Sequence, residues 1–330
     1  MKIRILKPGL LSTIQDMGRR NYLSDGIPFS GAMDQLSAQI ANMVVGNDPG
    51  CAVIEFTQSG ASFTVKENIV LAWLGDGAYL SSEGSHLPSG RPVFVPAGGD
   101  IYLEHNPNGF RSYLAVAGGW DVPEVLGSRS TYIPAGIGGI NGRALVEHEQ
   151  LNGLPALSSL SRQIVAGLAG EGINYPNWQV AASSFLPVDR TTIRVIAGRE
   201  FEWFDDASKR HIFNAKFTVA NNSSRMGYRL QGEKMTRIRE DELLSTAVVP
   251  GIIQVAGDGE MILLMADAQT TGGYPRIAQV ASVDMPLCAQ LKPGDDISFC
   301  QISLKDAERL YLKQVADLNK AGTGVKQKYS

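Results

Sequence analysis

Glycine and proline interrupt this chain so often that only short apolar runs fit between the turns. The sequence has 36 glycines and 16 prolines in 330 residues, and runs of Val, Ile, Phe and Leu of strand length lie between them. Most of these runs are too close together to enclose the crossover helix that a parallel sheet requires. We therefore predict a mainly β fold of antiparallel barrels or sandwiches, with few helices.

Two stretches have the apolar spacing of amphipathic helices. The pattern predicts a short helix over 34–45, which stops before Gly46. It predicts a longer, terminal helix over 304–319, where Ser303 and Asp306 are placed to cap the start. The polar residues 320–330 follow this helix, and we expect them to be disordered.

An internal similarity relates the two halves of the chain. A strand, a glycine turn, a second apolar strand and a later Gly-Asp turn occur in the same order over 54–103 and over 253–299. The length also exceeds the usual size of one core. We therefore predict two domains from a duplicated unit, 1–185 and 186–330. The stretch 158–187, rich in Ser, Ala and Gly, is predicted to be a linker or an inserted loop.

The charge pattern argues against nucleic-acid and membrane partners. The formal net charge is -3, and lysine and arginine are scattered rather than gathered into runs. No apolar stretch reaches membrane-spanning length, and the first residues alternate charged and apolar side chains without the apolar core of a signal peptide. We therefore expect a cytoplasmic protein.

Common cofactor signatures are absent from the sequence. The three cysteines have no CxxC spacing and the four histidines lie far apart, so no metal site is predicted. The chain also lacks GxxxxGK[ST], a GxGxxG between a strand and a helix, and GxSxG. We expect no cofactor bound by this chain.

The stretch DAQTTGGYPR at 267–276 carries the strongest signal for ligand binding. It follows a buried apolar run at 261–265 and combines hydrogen-bonding side chains with two glycines and an arginine. Glycines let the backbone approach a ligand closely. The alternative is a turn with solvated polar side chains.

Three further stretches offer polar groups next to glycines: TIQDMGR at 13–19, GIPFSGAMD at 26–34 and SRMGYRL at 224–230. Ser30 precedes a predicted helix, whose free N–H groups could accept an anion, although Ser30 or Asp34 could equally be a helix cap. The arginine fork of Arg225 could bind a carboxylate, whereas most surface arginines bind nothing specific.

These stretches, together with AGGW at 117–120 and GSRSTY at 127–132, resemble the motifs of the biotin-dependent carboxyltransferase family. The family includes the second subunit of allophanate hydrolase, a sporulation protein that antagonises a kinase inhibitor, and the C-type subunit of 5-oxoprolinase. The motifs match in order from about residue 6 to residue 299. The resemblance implies two cyclophilin-like β-barrel domains.

The resemblance also implies a function within a complex. The chain is similar to the C-type subunit, which works with a kinase-inhibitor-like partner (B-type) and a lactam-utilisation-type partner (A-type) to convert 5-oxo-L-proline to L-glutamate with ATP. Without a phosphate loop here, we expect one of the partners to bind the ATP. Two alternatives stay open: a biotin-dependent carboxyltransferase acting on urea or a similar amide, and a regulatory protein that antagonises a kinase inhibitor. The absence of a lysine flanked by methionines, as in a biotin carrier, favours the oxoprolinase.

The predicted site follows from these motifs and from the shape of a lactam substrate. We expect Arg225 or Arg276 to bind a carboxylate or a phosphorylated intermediate. We expect Gln269, Thr270 and the backbone amides of Gly272 and Gly273 to hold the amide oxygen as charge builds on it. Proton relay is assigned to Tyr228 and Asp16. The predicted catalytic residues are Asp16, Tyr228, Gln269 and Arg276. The predicted substrate-binding residues are Gln15, Arg19, Ser30, Arg129, Arg225, Thr270, Gly272, Gly273 and Tyr274.

Overall fold

The structure is a computed structural model that describes residues 1–239, 241 and 243–329. Its residues group into two compact units. Unit 1 comprises Met1–Gly18, Asp34–Phe185 and Ala316–Ser330, and unit 2 comprises Arg19–Met33 and Leu186–Val315. The units are discontinuous in the sequence, whereas the predicted division at residue 185 is a single cut, and that division stays a prediction.

Unit 1 is built from two antiparallel sheets. Its strands are β1 (Lys2–Pro8), β2 (Leu11–Gln15), β3 (Val53–Thr57), β4 (Ala61–Glu67), β5 (Ile69–Leu74), β6 (Ala78–Ser82), β7 (Ser85–His86), β8 (Val93–Val95), β9 (Asp100–His105), β10 (Arg111–Val116) and β11 (Gln150–Asn152). One sheet has the order β11-β1-β4-β9-β6-β7 and the other β2-β3-β10-β5-β8. The apolar side chains of both sheets, such as Phe63, Ile54 and Leu114, form one core.

Helix α1 (Gln35–Val44) packs on β10 and β5. Its N-cap is Asp34, whose carboxylate accepts a hydrogen bond from the backbone N–H of Ser37 at 2.9 Å. The backbone N–H of Asp34 in turn donates to the buried hydroxyl of Tyr113 on β10. The helix predicted over 34–45 is therefore confirmed.

The region predicted to be a linker or a loop contains a helix, α2 (Ser159–Leu168). The hydroxyl of Ser158 caps it by accepting from the N–H of Ser161, and it also donates to the carbonyl of Gly46. Ile164 and Leu168, one helical turn apart, are buried in unit 1. The linker prediction was wrong here because the surrounding Ser, Gly and Pro masked this short apolar spacing.

Helix α5 (Leu304–Gln327) extends eight residues beyond the predicted end at 319. Ser303 caps its start as predicted, since the N–H of Asp306 donates to the Ser303 hydroxyl at 3.1 Å. The expected disorder of 320–330 was wrong up to residue 327. Gly322 lies against Met43 of α1 and Val325 is buried, so packing outweighs the low helix propensity of glycine.

Unit 2 is a closed barrel of seven strands in the order β12-β19-β16-β17-β14-β13-β20. Its strands are β12 (Thr192–Ala197), β13 (Lys216–Val219), β14 (Gly227–Gln231), β15 (Thr246–Ala247), β16 (Ile252–Val255), β17 (Met261–Leu264), β18 (Thr271–Gly272), β19 (Arg276–Val280) and β20 (Asp296–Gln301). The short strands β15 and β18 pair with each other outside the barrel. Helices α3 (Asp206–Asn214) and α4 (Met285–Ala289) complete the unit.

The predicted fold class is confirmed, since the chain is mainly β with few helices and unit 2 closes into a barrel. Among the described residues, no helix has the length and apolar character needed to cross a membrane.

A pair of glycine substitutions tests how tightly unit 1 is packed. Gly75 and Gly98 both have positive φ angles, but a Cβ at Gly75 would lie 2.3 Å from the carbonyl oxygen of Arg111, whereas a Cβ at Gly98 meets nothing within 4 Å. We expect Gly98→Ala to cost about 1–2 kcal/mol of stability from backbone strain alone. Gly75→Ala should cost about 1–3 kcal/mol more from the clash. Denaturant unfolding of both variants measures the difference, and equal losses would contradict this packing.

Candidate functional site

The predicted site residues fall in both units. Gln15, Asp16 and Arg129 belong to unit 1, and the other ten belong to unit 2. Each set is described within its own unit.

Asp16 follows β2 and ties the segment 128–130 to the end of that strand. Its carboxylate accepts hydrogen bonds from the hydroxyls of Ser128 (2.6 Å) and Ser130 (2.5 Å) and from the backbone N–H groups of Arg129 (2.6 Å) and Gly18 (2.8 Å). Three of these donors share Oδ1, and the N–H of Arg129 contacts Oδ2, so the carboxylate's about four lone-pair positions are used unequally. The proton-relay role of Asp16 stays a prediction.

Gln15 is fully buried, and only the nitrogen of its side-chain amide forms hydrogen bonds with the described residues. Its Nε2 donates to the Thr13 hydroxyl at 3.0 Å and to the Thr131 carbonyl at 3.2 Å. In the part of the chain that the structure describes, its Oε1 has no hydrogen-bond partner. A buried acceptor left without a donor costs about 1–3 kcal/mol. Gln15 therefore has an acceptor to offer a ligand or an enclosed water molecule.

Arg129 is the most exposed of the predicted arginines, with 36% of its side chain accessible. Its Nε donates to the carbonyl of Val122 at 3.0 Å, and its Nη1 lies 3.5 Å from the carboxylate of Glu124. This half-exposed pair holds the guanidinium loosely. Part of its donor fork faces solvent.

Ser30 combines strained backbone with a buried hydroxyl. Its φ is +53°, a left-handed conformation that costs a residue with a side chain about 1–2 kcal/mol. Its backbone N–H donates to the carbonyl of Ala266 at 2.9 Å, and within the described residues its Oγ has no partner. Strained residues are concentrated at functional sites, so Ser30 stays a candidate. Arg19, in the same segment, is fully buried and its N–H donates to the Phe29 carbonyl.

Arg225 forms a buried ion pair inside unit 2. Its Nε and Nη2 donate to the two carboxylate oxygens of Asp267 at 2.8 and 3.1 Å, and Nη2 also donates to the Gly31 carbonyl at 2.7 Å. The fork that we predicted for a substrate carboxylate is therefore engaged with a carboxylate of the chain itself. It fastens the Ser30-Gly31 turn to the start of the 267–276 stretch.

Tyr228 lies in the barrel core. It is 2% exposed and stands opposite Leu263 in the β14–β17 ladder. Its ring packs in the apolar cluster that fills the barrel. The proton-relay role assigned to it stays a prediction, and its ring has a structural use in this position.

The 267–276 stretch, which we call the substrate loop after its predicted role, starts buried, is exposed at Gln269 and Tyr274, and ends at Arg276, whose side chain is only 12% exposed. Asp267 and Thr270 are buried, while the side chains of Gln269 and Tyr274 are exposed. Strand β18 of this loop pairs with β15, and the N–H of Val248 donates to the Thr270 carbonyl at 3.0 Å. The loop therefore has an ordered backbone that presents Gln269 and Tyr274 outward.

The two glycines of the substrate loop lie close to other groups of the chain. A Cβ at Gly272 would lie 2.7 Å from Nε2 of Gln254, and a Cβ at Gly273 would lie 3.1 Å from the carbonyl oxygen of Leu243. Gln254 is a buried residue of β16, and its Nε2 donates to the Tyr274 carbonyl at 3.2 Å. The close approach expected of a ligand is thus made by the chain itself on this side of the loop.

Arg276 ends the substrate loop and pairs with Glu200. Its Nε and Nη2 donate to the two carboxylate oxygens of Glu200, both at 2.7 Å. Burial by itself raises the pKa of the Glu200 carboxyl, but the hydrogen bonds from Arg276 outweigh burial and hold that pKa below its ordinary value. The same pairing raises the pKa of Arg276.

Sequence reasoning missed Glu200 and Gln254. Glu200 lies in a Gly-Arg-Glu turn after β12, and Gln254 is the one polar residue of an otherwise apolar strand, IIQV. A polar residue in a buried strand is a signal that could have identified Gln254. Nothing local marks Glu200, because its partner is 76 residues away in the sequence.

Sequence reasoning also missed a buried charged pair in unit 1. Glu55 on β3 and Arg111 on β10 are almost fully buried, with Arg111 Nε 3.8 Å from a carboxylate oxygen of Glu55. They share a sheet face with Tyr113, whose pKa burial raises well above its ordinary value. Charged residues inside two strands that otherwise read as apolar were the available signal.

The described residues contain no cluster of three or more His, Cys, Asp or Glu side chains that could hold a metal ion.

Comparison with known proteins identifies relatives along nearly the whole chain. The family described as Carboxyltransferase domain, subdomain A and B, matches residues 25–301. The C-type subunit of 5-oxoprolinase from Escherichia coli (strain K12) is 35% identical over 320 residues, which cover 95% of this chain and 97% of the relative. The protein of that name from Haemophilus influenzae is 34% identical over 317 residues, 94% of each chain. The predicted family resemblance is confirmed.

A solved structure shares the fold. The crystal structure of the K. lactis urea amidolyase superimposes with a TM-score of 0.85 at 30% identity. The match covers 97% of this chain but only 20% of the urea amidolyase, so this chain corresponds to about one fifth of that larger protein.

The Glu200–Arg276 pair predicts a dependence of stability on pH. Because the pKa of Glu200 is depressed in the folded chain, its contribution is fully present above the unfolded carboxyl pKa of about 4.3 and is lost as pH falls through the lower folded value. We expect the difference in Tm between the wild type and Glu200→Gln to be constant near neutral pH and to shrink below about pH 4.3. Thermal melts across pH 3–7 measure it, and a constant difference over this range would contradict the assignment.

Proposed function

Because the chain belongs to the carboxyltransferase domain family, subdomain A and B, we propose that it is a subunit of an ATP-dependent 5-oxoprolinase, which converts 5-oxo-L-proline to L-glutamate. The observation that carries this proposal is the reciprocal coverage: the matched relatives named as the C-type subunit of 5-oxoprolinase align over 94% or more of both chains. The match therefore spans nearly the full length of those relatives, whereas it spans only 20% of the urea amidolyase.

The names of these relatives describe one component of an enzyme, which supports a role inside a multi-subunit complex. We propose that this chain has two partners, one kinase-inhibitor-like and one of the lactam-utilisation type. ATP is assigned to a partner, because this sequence has no GxxxxGK[ST] phosphate loop. The reaction adds water across the lactam C–N bond, which yields the carboxylate and the amino group of glutamate.

The substrate loop supports a role in binding the lactam. Gln269 and Tyr274 are exposed hydrogen-bonding side chains on an ordered loop, whereas Thr270 is buried, and its contact with substrate stays a prediction. A lactam oxygen gains negative charge when it is activated, so donors that are already positioned would stabilise it. Arg225 and Arg276 hold the ends of this loop through Asp267 and Glu200. Contacts of Gln15 and Arg129 with substrate stay predictions.

A second candidate function rests on the likeness to the K. lactis urea amidolyase, at 30% identity and a TM-score of 0.85. Under it, the chain would carry carboxyl transfer from biotin to urea or a similar amide. No step of our proposal involves biotin.

Reconstitution tests the proposal directly. The chain is mixed with the two partner proteins, 5-oxoproline and ATP, and glutamate release is measured. We expect turnover only with all three proteins and ATP. Turnover that needs a biotinylated protein and urea instead would establish the second candidate. Binding to the inhibitor-like partner without any turnover would reject both enzymes and favour the regulatory alternative.

The substrate loop makes a specific prediction about KM. We expect Gln269→Ala and Tyr274→Ala each to raise KM for 5-oxoproline by about tenfold, the effect of losing about 1.4 kcal/mol of binding. Tyr102→Ala is the matched control, because Tyr102 is a similarly exposed tyrosine on β9 of unit 1, outside the predicted site. KM values unchanged in both loop variants would remove these residues from the site.

A further inference from the structure

We propose that Glu200 is a positioning residue for substrate binding, acting through Arg276 on the exposed side chains of the substrate loop. The role in substrate binding rests on the proposed 5-oxoprolinase function, while the positioning of the loop does not. In this assignment Arg276 does not bind the substrate carboxylate, and Glu200 joins the functional residues although it touches no substrate.

Glu200 binds both the side chain and the backbone of Arg276. In addition to the two side-chain bonds, one carboxylate oxygen of Glu200 accepts from the backbone N–H of Arg276 at 3.1 Å, and the N–H of Glu200 donates to the Arg276 carbonyl at 3.3 Å. Gly198 allows this approach, since a Cβ there would lie 2.2 Å from that carbonyl oxygen. Four hydrogen bonds thus fix the backbone and the side chain at the end of the loop.

Arg276 also connects the end of the loop to two neighbouring strands, β15 and β16. Its Nη1 lies 3.4 Å from the carbonyl oxygen of Ala247 on β15, and β15 pairs with β18 inside the loop. In the β16–β19 ladder Arg276 stands opposite Gln254, which donates to the Tyr274 carbonyl. The backbone carbonyl of Tyr274 is therefore held by Gln254, and the end of the loop, two residues later, is held by the bonds of Arg276 to Glu200.

Direct binding of a substrate carboxylate by Arg276 is the competing explanation. The carboxylate of Glu200 already occupies the Nε and Nη2 edge that would make a two-point contact, and the Arg276 side chain is only 12% exposed. A substrate would have to displace Glu200 and leave it buried without its partner. The same constraint holds for Arg225, which is engaged with Asp267 and Gly31.

A double-mutant cycle separates the two explanations in the reconstituted enzyme. If Glu200 positions the loop through Arg276, Glu200→Ala and Arg276→Ala should each raise KM for 5-oxoproline by up to about a hundredfold, the combined loss of the two tenfold contacts of Gln269 and Tyr274. The double variant should be no worse than the more affected single variant. Direct binding predicts that Glu200→Ala leaves KM unchanged or lowers it, while Arg276→Ala raises it. That result, or effects that multiply in the double variant, would overturn the proposal.

Hydrogen exchange provides a readout that does not depend on the substrate. In the isolated chain, we expect the backbone amides of 271–276 to exchange faster in Glu200→Ala than in the wild type, while those of β17 are unchanged. Unchanged exchange over 271–276 would overturn the proposal. If the wild-type mixture fails to hydrolyse 5-oxoproline, the proposed function fails, but this measurement still decides whether Glu200 holds the loop.

Two further variants serve as controls for a loss of folding and for a nonspecific effect of breaking an ion pair. Glu200→Gln keeps the size of the side chain and one acceptor oxygen, so it should fold even if Glu200→Ala does not, and it should give an intermediate rise in KM and in exchange. Glu260→Ala is the matched control, because it breaks the Arg229–Glu260 pair (3.4 Å) of the same barrel, away from the loop. It should change neither KM nor exchange over 271–276, and an equal effect there would overturn the specific role of Glu200.

Discussion

The pairing of arginine with carboxylate inside unit 2 is the interaction on which the arrangement of its loops depends. Arg225 with Asp267 holds the start of the substrate loop, and Arg276 with Glu200 holds its end. Buried pairs of this kind contribute little net stability, because desolvation offsets much of their attraction, but removing one partner is strongly destabilising. Their value here is geometric. They fix the two ends of the substrate loop, and the exposed side chains of Gln269 and Tyr274 lie between these ends.

The same principle appears in unit 1 with a different set of groups. Asp16 gathers two serine hydroxyls and two backbone N–H groups around one carboxylate, and so holds the segment 128–130 against the end of β2. In both units, residues that would serve for catalysis in another setting are used to shape the chain. The groups that remain available are fewer: the exposed side chains of the substrate loop, the open side of Arg129, and the unpartnered atoms of Gln15 and Ser30.

The fold was largely predictable from the sequence, because its signals are local. The density of turns gave the β class, and Asp34 and Ser303 marked the starts of α1 and α5. Errors arose where tertiary packing decides: Gly322 and Val325 remain helical because they pack within unit 1, and α2 lies in a stretch whose composition reads as a loop. The candidate site was predictable only as a set of residue types. Which carboxylate pairs with which arginine depends on tertiary contacts. The members of a pair such as Arg276 and Glu200 lie far apart in the sequence, and no periodicity in the sequence encodes their contact.

The interleaving of the two units along the chain affects how the protein could be divided. The segment Arg19–Met33 belongs to unit 2 although it interrupts unit 1, and the chain returns to unit 1 at Ala316, within α5. A polypeptide ending at residue 185 would carry 19–33 without its barrel and would expose the surface of Met43 that Gly322 covers. The remaining polypeptide would lose the Gly31 carbonyl that Arg225 binds. The fragments 1–185 and 186–330 would therefore each lack part of a compact unit.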